Sequence, residues 1–148
     1  MEEKKMGMFK VRAKVANPAD PKRFFEEEFW VDTGSTYTFI PEDRLQAIGI
    51  EPLQSREVVL ANGQRERRLI GSALLTLPDL NETLPSLVMF GSKQSPYIVG
   101  RLTLDTFGAE PDPAKRTLAQ IPVIIASQHG SPRGEAYVEE LHGEIHKA

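Results

Sequence analysis

The residue whose type and setting point to chemistry is Asp32, within Phe-Trp-Val-Asp-Thr-Gly-Ser at 29–35. Three apolar residues lead to a carboxylate, and a threonine, a glycine and a serine follow at once. A carboxylate at the end of an apolar run gives up part of its water. It then needs hydrogen-bond partners or a task that uses its proton affinity. Two readings stand side by side. In one, Asp32 closes a strand in an Asx-turn, its side-chain oxygen bonding nearby amides. In the other it is a general acid–base, with Gly34 allowing backbone and substrate to approach closely. On the tripeptide alone, the turn is the better reading.

The rest of the inventory narrows the choice. The chain has no cysteine, which excludes disulfides, thiolate metal sites and cysteine nucleophiles together. Its three histidines, His129, His142 and His146, all lie in the last twenty residues. A serine–histidine pair in the body of the chain would have to borrow its base from the tail. Carboxylates are the groups left for hydrolytic work there. His142 and His146 are four apart, but a zinc-protease motif needs glutamate directly after the first histidine, and Gly143 stands in that place. No metal site is expected. The basic run Arg65-Glu66-Arg67-Arg68-Leu69 reads as an exposed, solvated hairpin face rather than an anion site.

The elements that must position Asp32 are short runs with frequent turn punctuation, a mostly β pattern. Residues 8–16 alternate as a strand, broken by Asn-Pro-Ala-Asp-Pro-Lys. The run from Arg23 to Val31 leads into the Asp32 turn, and Tyr37–Pro41 leaves it as another strand. Residues 41–49 suit a two-turn helix, with Pro41 in its first turn, Glu42 and Asp43 at its positive end and Gly49 as its stop. Asn62-Gly63 between extended runs signals a hairpin with a type I′ turn. The second arm runs on through 72–77, and Pro78-Asp79 ends it. Residues 82–90 form a further strand and Tyr97–Gly100 a short buried one. Residues 101–108 suit a short helix ending at Gly108. The stretch 110–116 reads as a turn, and 117–126 as one or two last strands.

With 148 residues, 40% hydrophobic and 26% charged, the chain suits one domain with a real core. Residues 1–126 carry the pattern, and 127–148 form a polar tail with one weak amphipathic face. A net charge of −3 argues against nucleic acid or an anionic membrane as the main partner. No apolar run is long enough to span a bilayer, and no secretory signal opens the chain, so a cytoplasmic protein is expected.

Taken together, these features resemble retroviral-type (retropepsin-like) aspartic proteases. The apolar residues ahead of Asp32-Thr33-Gly34-Ser35 match that family's active-site segment. The hairpin tip at Ala61, Asn62 and Gly63 sits where the family has its flap. Ile98, Val99, Gly100 and Arg101, ahead of a short helix, match its second landmark. The resemblance spans about residues 8 to 126. It implies a mainly β fold, a closed barrel with a flap hairpin and one or two short helices. It also implies a cofactor-free aspartic endopeptidase, in which water held between two Asp32 carboxylates attacks a peptide bond. Thr33 would bond across to a partner loop and Ser35 to the outer oxygen of the carboxylate. The chain holds a single Asp-Thr-Gly, because Asp105-Thr106-Phe107-Gly108 has a residue too many. The second aspartate must then come from a second copy, and a homodimer acting on an extended peptide is expected. The arginine of the retroviral pattern pairs with an acid whose position here is Thr36, so Arg101 must find another partner or stay solvated. The rival expectation is the same fold used as a weakly catalytic dimerisation or peptide-binding module.

Overall fold

A computed structural model describes residues 9–126, and the expected tail at 127–148, with its three histidines, lies outside them. Nine strands and two helices follow in the order β1 (Lys10–Asn17), β2 (Asp20–Val31), β3 (Thr38–Pro41), α1 (Glu42–Ala47), β4 (Gln54–Val59), β5 (Arg65–Leu77), β6 (Glu82–Gly91), β7 (Ile98–Val99), α2 (Arg101–Phe107), β8 (Ala109–Asp112) and β9 (Thr117–Gln120). The class is mainly β, as the alternation predicts.

Six strands close on themselves. β1 pairs with β2, β2 with β7, β7 with β3, β3 with β6, β6 with β5, and β5 returns to β1 through Lys14–Ala16 opposite Leu74–Thr76. Closure leaves few free edges. It also turns every second residue inward: Val11, Ala13 and Val15 from β1, Ala73, Leu75 and Leu77 from β5. Phe29, Val31, Ile40, Val88, Val99 and Leu104 complete the centre of this core. β4 stands outside the ring and pairs only with the first half of β5, so the β4–β5 hairpin projects as an arm.

Several local expectations change. The break after β1 is only a two-residue turn at Pro18-Ala19, where the Asn17 side chain accepts from the Ala19 amide at 2.8 Å. Pro41 ends β3 and caps α1 rather than joining its first turn. The hairpin tip is not type I′, which would need a positive φ at Asn62. Instead the Gly63 amide donates to the Leu60 carbonyl at 2.9 Å, and Gly63 alone is left-handed, with φ +86°. This is a type I turn closed by a left-handed glycine, a three-residue loop of Ala61, Asn62 and Gly63. Asn62 steadies it by accepting from the Gln64 amide at 2.9 Å. Residues 109–112, expected mostly as turn, form β8 against β9. The stretch 121–126 carries no strand. No helix among the described residues is long and apolar enough to cross a membrane.

Candidate active site

Asp32 follows directly on β2, whose last residues pair in parallel with β7, Trp30 opposite Ile98 and Val31 opposite Val99. The Val31 side chain is fully buried, and the Asp32 amide donates to the Val99 carbonyl at 3.0 Å. The backbone of Asp32 is thus pinned to the short strand beside it while the side chain turns outward and stays half-buried. Its Oδ1 accepts the Gly34 amide at 2.9 Å, and its carbonyl accepts the Ser35 amide at 3.1 Å. The Asx-turn is therefore real. It fixes one carboxylate oxygen and leaves Oδ2 without a protein partner among the described residues.

The loop that follows is locked to α2. The first amides of a helix have no partner inside it. Here Arg101 donates to the Ser35 carbonyl at 2.6 Å and Leu102 to the Thr36 carbonyl at 2.9 Å. Gly100 makes the lock possible by being small. A Cβ built on it would collide with the Tyr37 carbonyl and sit 2.7 Å from that of Ser35.

Behind this lock lies a buried chain of hydroxyls. Thr103 Oγ1 meets Thr38 Oγ1 at 2.6 Å and Ser86 Oγ at 2.8 Å, and Thr38 Oγ1 accepts the Gly100 amide at 3.0 Å. Thr38 and Thr103 are fully buried and Ser86 nearly so. These three residues escaped the sequence reading, because their partners lie far apart in the chain. Removing the shared hydroxyl with Thr103→Val keeps the shape but leaves two buried hydroxyls short of a partner. An unpaired buried polar group costs about 1–3 kcal/mol, so the urea midpoint should fall accordingly. A midpoint equal to wild type would mean the hydroxyls bond equally well without Thr103.

One expected side-chain partner differs, and one left open is supplied. Ser35 Oγ donates to the Tyr37 carbonyl at 2.8 Å rather than to Asp32, closing the loop on itself. Arg101 finds Asp105 at 3.1 Å one helical turn on and Glu110 at 2.9 Å on β8. It ties α2 to the strand that follows, a role that replaces the missing acid at Thr36. Thr33 and Gly34 are exposed in the single chain.

A cleft of about 360 Å³ opens beside the loop. Gly34, Ser35 and Thr36 form one wall, Glu57, Val58 and Val59 of β4 the other, and Phe39 and Met89 the floor. Asp32 lies just outside this lining. The hairpin tip, residues 61–63, is exposed and does not line the cleft; its arm does. A second hollow of about 250 Å³ continues past Phe39 and Val58 to Glu66 and Arg68. The expectation that 65–69 is an exposed face therefore needs correction. Arg65 and Arg67 point outward, but Glu66 and Arg68 share the inner face with buried Ile70. Counting back by twos from Ile70 is the signal that finds them.

Ahead of β7, at Tyr97, Arg44 of α1 lies 4.1 Å above the Phe25 ring and donates to the Tyr97 hydroxyl at 2.8 Å and to Glu27 at 3.2 Å. Burial pushes the Tyr97 phenol above its ordinary value of 10.0, and Arg44 pulls it partly back. The Tyr97 carbonyl in turn accepts the Trp30 amide at 2.8 Å, which holds the approach to Asp32.

Residues 22–103, more than half of the chain, match the protein family described as aspartyl protease. Two solved structures are similar. The solution structure of simian foamy virus (mac) protease is 14% identical, with a TM-score of 0.48, over 70% of this chain and 99% of that one. The foamy viral protease–reverse transcriptase in complex with an RNA/DNA hybrid is 15% identical, with a TM-score of 0.47, over 80% of this chain and 14% of that one. No curated protein matches the chain.

Proposed function

The chain belongs to the aspartyl protease family, and from that premise we propose that it is a homodimeric aspartic endopeptidase whose centre joins the Asp32 carboxylates of two copies. The observation that carries this reading is the Asp32 loop itself. Its backbone is bonded on both sides, to Val99 and to the start of α2, while the carboxylate faces outward beside a cleft. Such rigidity suits a group that must meet a reacting atom.

One carboxylate does not complete the reaction. Two facing aspartates repel if both are ionised, so the pair shares one proton. The ionised member takes a proton from the attacking water and the other gives its proton to the peptide carbonyl. The chain has one Asp-Thr-Gly, and Thr33 and Gly34 stand exposed where a second copy of the loop would pack. Thr33 is the residue to bond across to that copy. The β4–β5 arm, with the tip Ala61–Gly63, is suited to close over an extended peptide and exclude water. Val59 and Leu60, exposed near the tip, offer it an apolar surface.

The test is cleavage of a diverse peptide mixture, read by mass spectrometry, as a function of enzyme concentration. A shared centre predicts specific activity that falls on dilution in step with dissociation measured by sedimentation. Undiminished specific activity in a demonstrated monomer would overturn the shared centre. Intact peptides after incubation with a demonstrated dimer would overturn the peptidase.

A further inference from the structure

The hollow beyond Phe39 and Val58 holds an arginine that nothing in the catalytic reading uses. The Arg68 side chain is only 29% exposed, which is low for an arginine on a projecting hairpin. Its Nε donates to Glu66 Oε1 at 2.7 Å. That bond occupies one side of the guanidinium and fixes its plane. The two Nη groups have no hydrogen-bond partner among the described residues, so the end-on fork, the geometry that grips a carboxylate in a bidentate pair, stays open. Phe39, Val58 and Pro96 give the hollow apolar walls, and Ser92 adds a hydroxyl. Phe39 and Val58 also line the cleft beside Gly34 and Ser35, so the two spaces adjoin across these residues.

The hairpin that carries Arg68 is net positive, with Glu66 offsetting part of the charge in the hollow itself. Residues 54–69 contain four arginines against two glutamates, within a chain whose net charge is −3. An apolar-walled hollow with an oriented arginine accepts the methylenes of a side chain and the carboxylate at its end. We propose that Arg68 is a specificity residue of the cleft, binding the carboxylate of an aspartate or glutamate side chain in the bound peptide. Glu66 acts through Arg68 by holding the guanidinium in place. The inference rests on the reading of the cleft as a peptide site.

The test compares peptides differing only as Glu against Gln, or Asp against Asn, at each position around a cleaved bond. The wild type should prefer the acid at one position by about tenfold in kcat/KM, the scale of a charge-assisted pair partly open to water. Arg68→Gln should erase that preference, and Arg68→Lys, which keeps the charge but loses the fork, should erase most of it. Arg67→Gln removes the same charge from the outer face, where Arg67 bonds Ser55, and should leave the preference intact. The same peptide pairs are titrated by fluorescence anisotropy into Asp32→Asn protein, with and without Arg68→Gln, so that binding is read without cleavage. Acid-selective binding that requires Arg68 supports the inference even if no peptide is cut, an outcome that removes only the peptidase. Equal treatment of acid and amide peptides by the wild type in both readouts would overturn it. Equal erosion by Arg67→Gln and Arg68→Gln would also overturn it, by reducing the effect to the general charge of the hairpin.

Discussion

Asp32→Asn should fold and melt like the wild type and cut peptides slower by a factor on the order of 10⁴, the upper end of the range for losing a positioned acid–base group. The substitution separates the two roles of the side chain. Asparagine keeps an Oδ1 that accepts the Gly34 amide, so the Asx-turn seen at 2.9 Å survives. The Val99 bond to the Asp32 amide is backbone and is untouched. Only proton exchange is lost. Asp32→Ala removes the turn bond as well and should lower the unfolding free energy measured in urea by about 1 kcal/mol, the usual worth of one such bond. Mixed dimers sharpen the result. If two carboxylates form one centre, a dimer with one asparagine is as slow as a dimer with two. Activity in a wild-type and mutant mixture then follows the fraction of all-wild-type pairs. Activity proportional to the wild-type subunits alone would mean that each chain works by itself. An Asp32→Asn protein as fast as wild type would assign Asp32 to the turn and nothing else.

Much of this site was legible because its signals are local. The apolar run ending at Val31, the turn at Gly34 and the short buried strand at Ile98-Val99 are each set by neighbours in sequence, and the structure brings them together as parallel β2 and β7. What escaped was non-local or degenerate. Thr38 and Thr103 are 65 residues apart, so no window holds both ends of their hydrogen bond. Asn62-Gly63 suits more than one tight turn, because both need a left-handed glycine and differ in the φ of the residue before it and in whether the loop holds two residues or three. For Arg65–Leu69, alternation and the interspersed Glu66 suggest an exposed face, but alternation alone leaves open which set of side chains turns inward; the register, fixed by Ile70, decides that Glu66 and Arg68 enter the hollow. Pro111 and Pro113 argued for a turn at 110–116. A two-stranded sheet is all edge, and an edge strand tolerates a residue that cannot donate, so Pro111 lies inside β8. Arg101 found Asp105 and Glu110 because the fold of α2 onto β8, not the position next to the motif, supplies its acids.

Gly100→Ala should be the most damaging single-methyl change in the described domain. Gly100 has φ −101° and ψ −178°, an extended conformation that alanine adopts without strain, so backbone preference is not the obstacle. The obstacle is space. The new methyl would collide with the Tyr37 carbonyl and lie 2.7 Å from the Ser35 carbonyl, and both are backbone atoms that no rotamer change can move. Relief requires the loop and α2 to part. That movement stretches the bonds from Arg101 to Ser35, from Leu102 to Thr36 and from Gly100 to Thr38. Overpacking costs about 1–3 kcal/mol, and each donor left without a partner adds about 1–3 kcal/mol. The sum approaches the whole stability of a small domain, typically about 5–15 kcal/mol. The expected result is a large fall in urea midpoint, with activity lost even where folded protein remains, because Ser35 can no longer hold the turn that aims Asp32. Gly34→Ala provides the contrast in stability. Its methyl meets only Asp32 Oδ1, at 3.3 Å, and a side-chain atom can yield. Its unfolding free energy should stay within about 0.5 kcal/mol of wild type, as for other exposed substitutions. If Gly100→Ala and Gly34→Ala melt alike, the contact between α2 and the Asp32 loop is not what fixes the carboxylate, and its rigidity must come from the β2–β7 pairing alone.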